Sequence, residues 1–342
     1  YSASINEPRT GLVLTGWSIE DPTDRSLGSL ADLVAYTGAE ACVALSSGTA
    51  GLHLALLEAG VKPGDDVIVQ SFTFAATAFA TVHAGANPIF IDSEPDTWAL
   101  DPDLLETFLA ERAASGQLPA AVIAVDLYGS CANYARIEPI CDSYGVTLIA
   151  DAAEALGSRV GDRSAGTFGR SAVLSFNGNK IMTTSGGGAL VGPTETVNHV
   201  RYLATQARQP VLHYEHTDIG FNYRMSNLLA ALGRAQLEGL EPKLARRQQI
   251  ADFYADRFDD FEWCPHAATS RPNRWLTVGL LPDGEDPHTL CQALNDRDIE
   301  ARPAWKPMHM QPVFANNEMI GGAVAEVIYA RGICLPSGSV LN

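Results

Sequence analysis

Basic residues are scarce in this chain: 23 Lys and Arg stand against 40 Asp and Glu, a formal net charge of -17. That deficit disfavours nucleic-acid binding and anionic membrane surfaces, since both need a basic face to displace counterions. Any phosphate group must then be held by local donors. Long apolar runs are missing too. No charged-then-apolar leader and no run of roughly 18 apolar residues occurs, so neither a signal peptide nor a membrane span is expected. Closely spaced cysteines are absent: Cys42, Cys131, Cys141, Cys264, Cys291 and Cys334 are scattered and none forms a CxxC. Reduced thiols in a cytoplasmic protein, mostly small core residues, are the expectation, with no metal site. The glycine-rich bend TTSGGGALV carries neither GxGxxG nor a phosphate-loop GKS or GKT, so dinucleotide and NTPase readings find no motif there. Its glycines Gly186 to Gly188 are read as a device that lets the backbone turn. The chain opens at Tyr1 without Met and stops at Asn342 without an evident terminating element, which suggests trimmed ends.

What is present is a large apolar fraction, 46% of 342 residues. A length above roughly 250 to 300 residues predicts two domains sharing an interface. Residues 1–30 carry little periodicity and form a lead-in segment. Beyond them, strands and helices alternate. A short helix from Asp32 to Tyr36 leads to strand Ala41 to Leu45, then to SSGTAGLHLALLEAG, with Leu52, Ala55, Leu56 and Ala59 at helical spacing and Gly60 as the stop. Strands follow at Val67 to Val69, Pro88 to Ile91, Ala121 to Val125 and Val146 to Ala150, separated by helical segments. This alternation predicts a mostly parallel α/β sheet flanked by helices. From Ser226 the period becomes helical. A smaller C-terminal α+β domain is expected from strand Trp275 to Leu281, a helix capped by Asp286-Pro287, strand Ile299 to Arg302 and a helix near Ala323 to Arg331. The expected division is therefore 31–234 and 235–342.

Two charges stand where strands stop. Asp151 ends a β-branched run, and Lys180 ends the polar corner SFNGNK twenty-nine residues later. In α/β sheets ligands collect at the carboxyl ends of strands. A lysine and a carboxylate delivered there suit pyridoxal phosphate, whose aldehyde takes an amine and whose pyridine nitrogen needs a nearby carboxylate. The alternative is a surface lysine and a helix-capping aspartate. The Gly-containing turn at Ser47, Gly48 and Thr49 opens a helix and so offers a phosphate seat, or a plain N-cap.

The ordered motifs SSGTA, SFTFAAT, DAAEALG, SFNGNK and GFNYRMSN resemble the DegT-like nucleotide-sugar aminotransferases, a branch of the fold-type-I pyridoxal phosphate enzymes, from about residue 36 to about residue 337. The resemblance implies Lys180 as the lysine that carries the cofactor and Asp151 as the partner of the pyridine nitrogen. It places Phe74 against the ring face and Gly48, Thr49 and Ser175 at the cofactor phosphate. Asn222 matches a residue that crosses from the neighbouring subunit, which implies a homodimer with shared active sites. Glu154 matches a position held by Gln, Glu or His near cofactor and substrate; a first-turn helix acid is the alternative. The segment ARPAWKPMHMQPVF resembles one that reaches the site from the small domain, so Arg224, Lys306 and His309 are candidates for a nucleotide-sugar diphosphate.

The implied activity moves an amino group from L-glutamate to a nucleotide-linked keto sugar. The LSFNGNK, HYEH and WKPMH segments look most like the subgroup acting on carbon 4 of UDP-4-keto-6-deoxy-N-acetylhexosamines. Rival readings are a sugar dehydratase on the same fold, in whose relatives a histidine replaces the lysine, a non-catalytic sensor of the cofactor or a sugar nucleotide, and an NAD-linked sugar dehydrogenase. The lead-in departs from the family pattern, with only Trp17 matched there, and the strand and helix expected after Ser337 are mostly absent.

Overall fold

The computed structural model describes residues 27–341, so Trp17 and most of the lead-in segment lie outside the described residues. The first helix, α1 (Leu27–Thr37), is longer than the sequence suggests and precedes β1 (Ala41–Leu45). Then come α2 (Gly48–Glu58), β2 (Asp66–Gln70), α3 (Ala75–His83), β3 (Asn87–Ile91), α4 (Pro102–Ser115), β4 (Ala121–Val125), α5 (Tyr134–Tyr144) and β5 (Thr147–Asp151). The caps follow local chemistry. Ser47 accepts from the Ala50 amide at 3.0 Å to start α2, and Asp101 accepts from Asp103 and Leu104 to start α4 with Pro102 in its first turn.

These strands join Ser171–Ser175, Gly188–Gly192 and Met319–Ile320 in one eight-stranded sheet. Its order is β1, 188–192, 171–175, β5, β4, β2, β3, 319–320. Strand 188–192 pairs antiparallel with both of its neighbours, and every other pairing is parallel. Alternate residues of one strand feed opposite cores: Ile68 packs in one apolar cluster and Val67 and Val69 in the other. That double burial explains why β4 reads as an unbroken apolar run, all five residues being buried. Burying each such Val or Ile contributes on the order of 1.5–3 kcal/mol.

A second, four-stranded sheet pairs Glu262–Trp263, Thr277–Leu280, Gly332–Leu335 and Arg302–Pro303, with helix Pro287–Asn295 among its neighbours. The expected strand Ile299 to Arg302 is displaced to Arg302–Pro303. Asp298 sits at φ 60°, the Ile299 amide turns back to Leu294 at 3.0 Å, and Asn295 bonds both backbone groups of Ala301. Residues 298–301 therefore wrap the helix end, and Pro303 falls on an edge strand, where its missing N–H costs least. The outer strand Met319–Ile320 had no sequence signal. It docks on β3 through Phe90 and Asp92 amides, while the Asp92 carboxylate accepts the Gly322, Val324 and Ala325 amides at the start of helix Ala323–Arg331. Among the described residues no helix is long and apolar enough to cross a membrane.

Candidate active site

The carboxyl ends of β1, β5 and strand 171–175 open into a cleft of about 1080 Å³ whose far wall comes from residues 275–276, 298–305 and 334–341. Lys180, Asp151, Gly48, Thr49, Phe74, Glu154 and Ser175 all line it. Seven residues from four motifs thus meet in one space.

Asp151 is the last residue of β5 and only 4% exposed. Its Oδ2 accepts from the Thr77 hydroxyl at 2.7 Å and its Oδ1 from the Ala153 amide at 3.2 Å. Burial pushes its pKa up, against the pull of those two hydrogen bonds and of the Lys180 charge. Lys180 Nζ lies 3.3 Å from Glu154 Oε1 and 4.1 Å from the centre of the Trp275 ring, an ion pair and a cation–π contact on one amine. Glu154 is buried in a turn, with no helix beginning there, so the first-turn acid alternative does not hold. Its Oε2 accepts the Tyr128 amide at 2.8 Å. Burial pushes the Glu154 carboxyl up to about 7, with Lys180 pulling the other way.

The turn at Ser47 to Thr49, the candidate phosphate seat, is built from close backbone approach. A Cβ on Gly188 would stand 2.6 Å from the Gly48 nitrogen, so the second and third glycines of the bend do different work: Gly187 turns at φ 135°, and Gly188 admits the start of α2. The Gly48 and Thr49 amides precede the first helical hydrogen bonds and sit at the positive end of the helix dipole. Ser175 abuts the same turn, since a Cβ on Gly48 would meet Ser175 Cβ at 3.1 Å.

Aromatic residues form one wall. Phe74 is 57% exposed at the cleft and lies 5.6 Å from Trp305. Trp305 in turn packs on Tyr128 and Trp275, its amide bonded to the Tyr128 hydroxyl at 3.1 Å. Asn273 sets Trp275 in place: its Oδ1 accepts the Trp275 amide, and its Nδ2 donates to the carbonyls of Glu154 and Leu156. Room for that side chain comes from Gly129, at φ 93°, where a Cβ would stand 1.9 Å from Asn273 Oδ1.

Four candidates lie apart from the cleft lining. Asn222 is exposed and bridges Thr205, and Arg224 bridges Leu45 at the end of β1. Lys306 is half-buried beside Trp305. His309 has both ring nitrogens engaged, Nδ1 with the Ser71 hydroxyl at 2.7 Å and Nε2 with Glu326 at 3.2 Å. Residues that sequence reasoning missed are Thr77, Tyr128, Trp275 and Trp305. Thr77 and Trp305 stood inside quoted motifs, whereas Trp275 had no local signal beyond being aromatic.

The donor set fits pyridoxal phosphate: a buried amine and a buried carboxylate face one cleft, beside a helix N-terminus cleared of side chains and an exposed aromatic face. The profile of the DegT/DnrJ/EryC1/StrS aminotransferase family matches residues 12–342. The chain belongs to that family. EpsN of Bacillus subtilis, an inferred pyridoxal phosphate-dependent aminotransferase, is 48% identical over 90% of this chain and 81% of its own length. GDP-perosamine synthase of Caulobacter vibrioides is 35% identical over 90% of this chain and 83% of its own. A DegT/DnrJ/EryC1/StrS aminotransferase from Brucella abortus superposes with a TM-score of 0.87 at 29% identity, covering 93% of this chain and 86% of the other. Like other members of the DegT/DnrJ/EryC1/StrS family, this chain is a pyridoxal phosphate-dependent aminotransferase.

Proposed function

We propose that this sugar aminotransferase moves an amino group from L-glutamate to a nucleotide-linked keto-deoxy sugar, with carbon 4 of a UDP-4-keto-6-deoxy-N-acetylhexosamine as the preferred acceptor. The observation that carries the reading is the meeting of Lys180 and Asp151 in one cleft large enough for a cofactor and a sugar. Relatives named for GDP-linked and UDP-linked sugars bracket the substrate class.

When bound, pyridoxal phosphate supplies an aldehyde that accepts an amino group and a ring that withdraws electrons from the neighbouring carbon. The chain's own residues do the rest. Lys180 carries the proton between the donor carbon and the cofactor carbon, then back again for the sugar, so it acts as base and acid in turn. Asp151, fixed by Thr77 and the Ala153 amide, holds the proton on the pyridine nitrogen. The amides of Gly48 and Thr49 and the Ser175 hydroxyl hold the phosphate in an otherwise acidic protein. Phe74 would cover the ring face of the bound cofactor, and Trp275 and Trp305 would keep water from the amine. Arg224 and Lys306 are the cations proposed for the diphosphate. His309 joins them only if its contact with Glu326 opens.

The shared-site homodimer belongs to the same reading. Asn222 is exposed in its own chain, close to a stretch whose Leu212 and Ile219 are 102% and 86% exposed, an apolar surface suited to a second copy. Co-expressing a Lys180→Ala chain with an Asn222→Ala chain is expected to restore roughly a quarter of wild-type turnover, since half of the dimers are mixed and one of their two sites is intact. Turnover no higher than the sum of the separate variants would reject sharing.

The substrate assignment is tested with a panel of nucleotide-linked 4-keto and 3-keto sugars, each incubated with glutamate. The expected result is 2-oxoglutarate together with a product whose mass shows oxygen replaced by an amine, greatest for the UDP-linked 4-keto sugar. Loss of water without 2-oxoglutarate would point to the dehydratase instead.

A further inference from the structure

Lys180 has to change protonation state during amino transfer, and its surroundings limit where the proton can go. Among the described residues Nζ donates to Glu154 Oε1 alone, at 3.3 Å, and the Trp275 ring closes another side at 4.1 Å. Side-chain exposures of 10% for Lys180 and 4% for Glu154 leave bulk water little access to the pair. Glu154 cannot swing away without giving up the Tyr128 amide on its Oε2. The titratable groups around Glu154 are Lys180, Asp151, Asp126, Tyr128 and Cys334, and Lys180 is the one cation among them. Two neighbouring buried carboxyl groups and a dry setting therefore oppose a full negative charge on Glu154, in the direction already noted for it.

We propose that Glu154 takes the proton that Lys180 sheds when its amine captures the cofactor aldehyde, and returns it when the amine is released. This rests on the reading of Lys180 as the lysine that carries the cofactor. The step moves one proton from Nζ to Oε1: ammonium and carboxylate become amine and carboxylic acid, with no electron transferred and no change in net charge. The amine nitrogen then bonds to the aldehyde carbon, and its two hydrogens leave with the aldehyde oxygen as water. A carboxylate that served only to stabilise the ammonium would act in the opposite sense, keeping the lone pair occupied and slowing capture. The sign of the effect separates the two roles.

The experiment adds pyridoxal phosphate to cofactor-free protein and follows the rise of the visible band by stopped flow between about pH 6 and about pH 9, for wild type, Glu154→Gln, Glu154→His and Lys180→Ala. Wild type is expected to show a rate nearly level above about pH 7, because the proton stays within the pair. Glu154→Gln is expected to capture the cofactor about tenfold more slowly at neutral pH and to speed up with rising pH, since Lys180 must then shed its proton to solvent. Glu154→His, which again offers a group able to take a proton near neutrality, is expected to recover much of the lost rate. A Gln variant as fast as wild type at neutral pH, or faster, would overturn the proposal, as would failure of the His variant to exceed the Gln variant. A visible band that still forms with Lys180→Ala would overturn the underlying reading of Lys180 instead.

Discussion

Lys180→Ala is expected to lose the visible absorbance of the bound cofactor and at least about a thousandfold in turnover, because in the proposed reading it removes both the covalent attachment and the acid–base group. The loss should leave folding intact. Lys180 sits in a corner after strand 171–175, and its side chain makes one ion pair and one ring contact, with Glu154 and Trp275. Truncation does leave Glu154 buried without its cation, and that carboxyl answers by taking a proton, which its setting already favours. Absorbance spectra and steady-state turnover with glutamate check the expectation together. A spectrum unchanged from wild type would remove Lys180 from its assigned place whatever the turnover.

Asp151→Asn is expected to retain some bound cofactor yet lower turnover by roughly a hundredfold to a thousandfold, the usual scale for deleting a preorganised charge at a reacting centre. The amide is nearly the same shape, so the change is electrostatic. Stability should move the other way or hardly at all. Burial raises the Asp151 pKa in the folded chain, so its favourable contribution is fully present below the unfolded value and is lost as pH rises through the folded value. Above that folded value the buried charge is a cost to the cofactor-free protein, and the asparagine removes that cost. Thermal unfolding of the cofactor-free variant is thus expected within about 1 kcal/mol of wild type or above it. Wild-type turnover in the variant would exclude Asp151 from holding the pyridine nitrogen.

Much of the candidate site was legible because strand ends are legible. A β-branched run that stops at an acid, and an apolar run that stops at a serine followed by a lysine corner, announce where side chains emerge from a parallel sheet. The turn Ser47 to Thr49 announced a helix start in the same way. Glu154 was harder. Its spacing from Asp151 allowed a helix, and only the fold shows a buried turn that aims it at Lys180. Trp275 was invisible, because its place over the amine depends on Asn273 and on the absence of a side chain at Gly129, more than a hundred residues earlier in the chain.

Local order was therefore set by the sequence alone: the alternation of strands and helices, their caps, the acidic surface, and the pair of charges at two strand ends. These follow from short-range chemistry, from side-chain period, cap hydrogen bonds and turn residues, which act within a few positions. Tertiary structure alone decided that residues 319–320 extend the large sheet, that Asn222 faces outward, that His309 is held by Ser71 and Glu326, and that Glu154 and Trp275 converge on one amine. Each of these depends on packing between segments far apart in the chain, whose free energy belongs to the assembled core and to no local pattern.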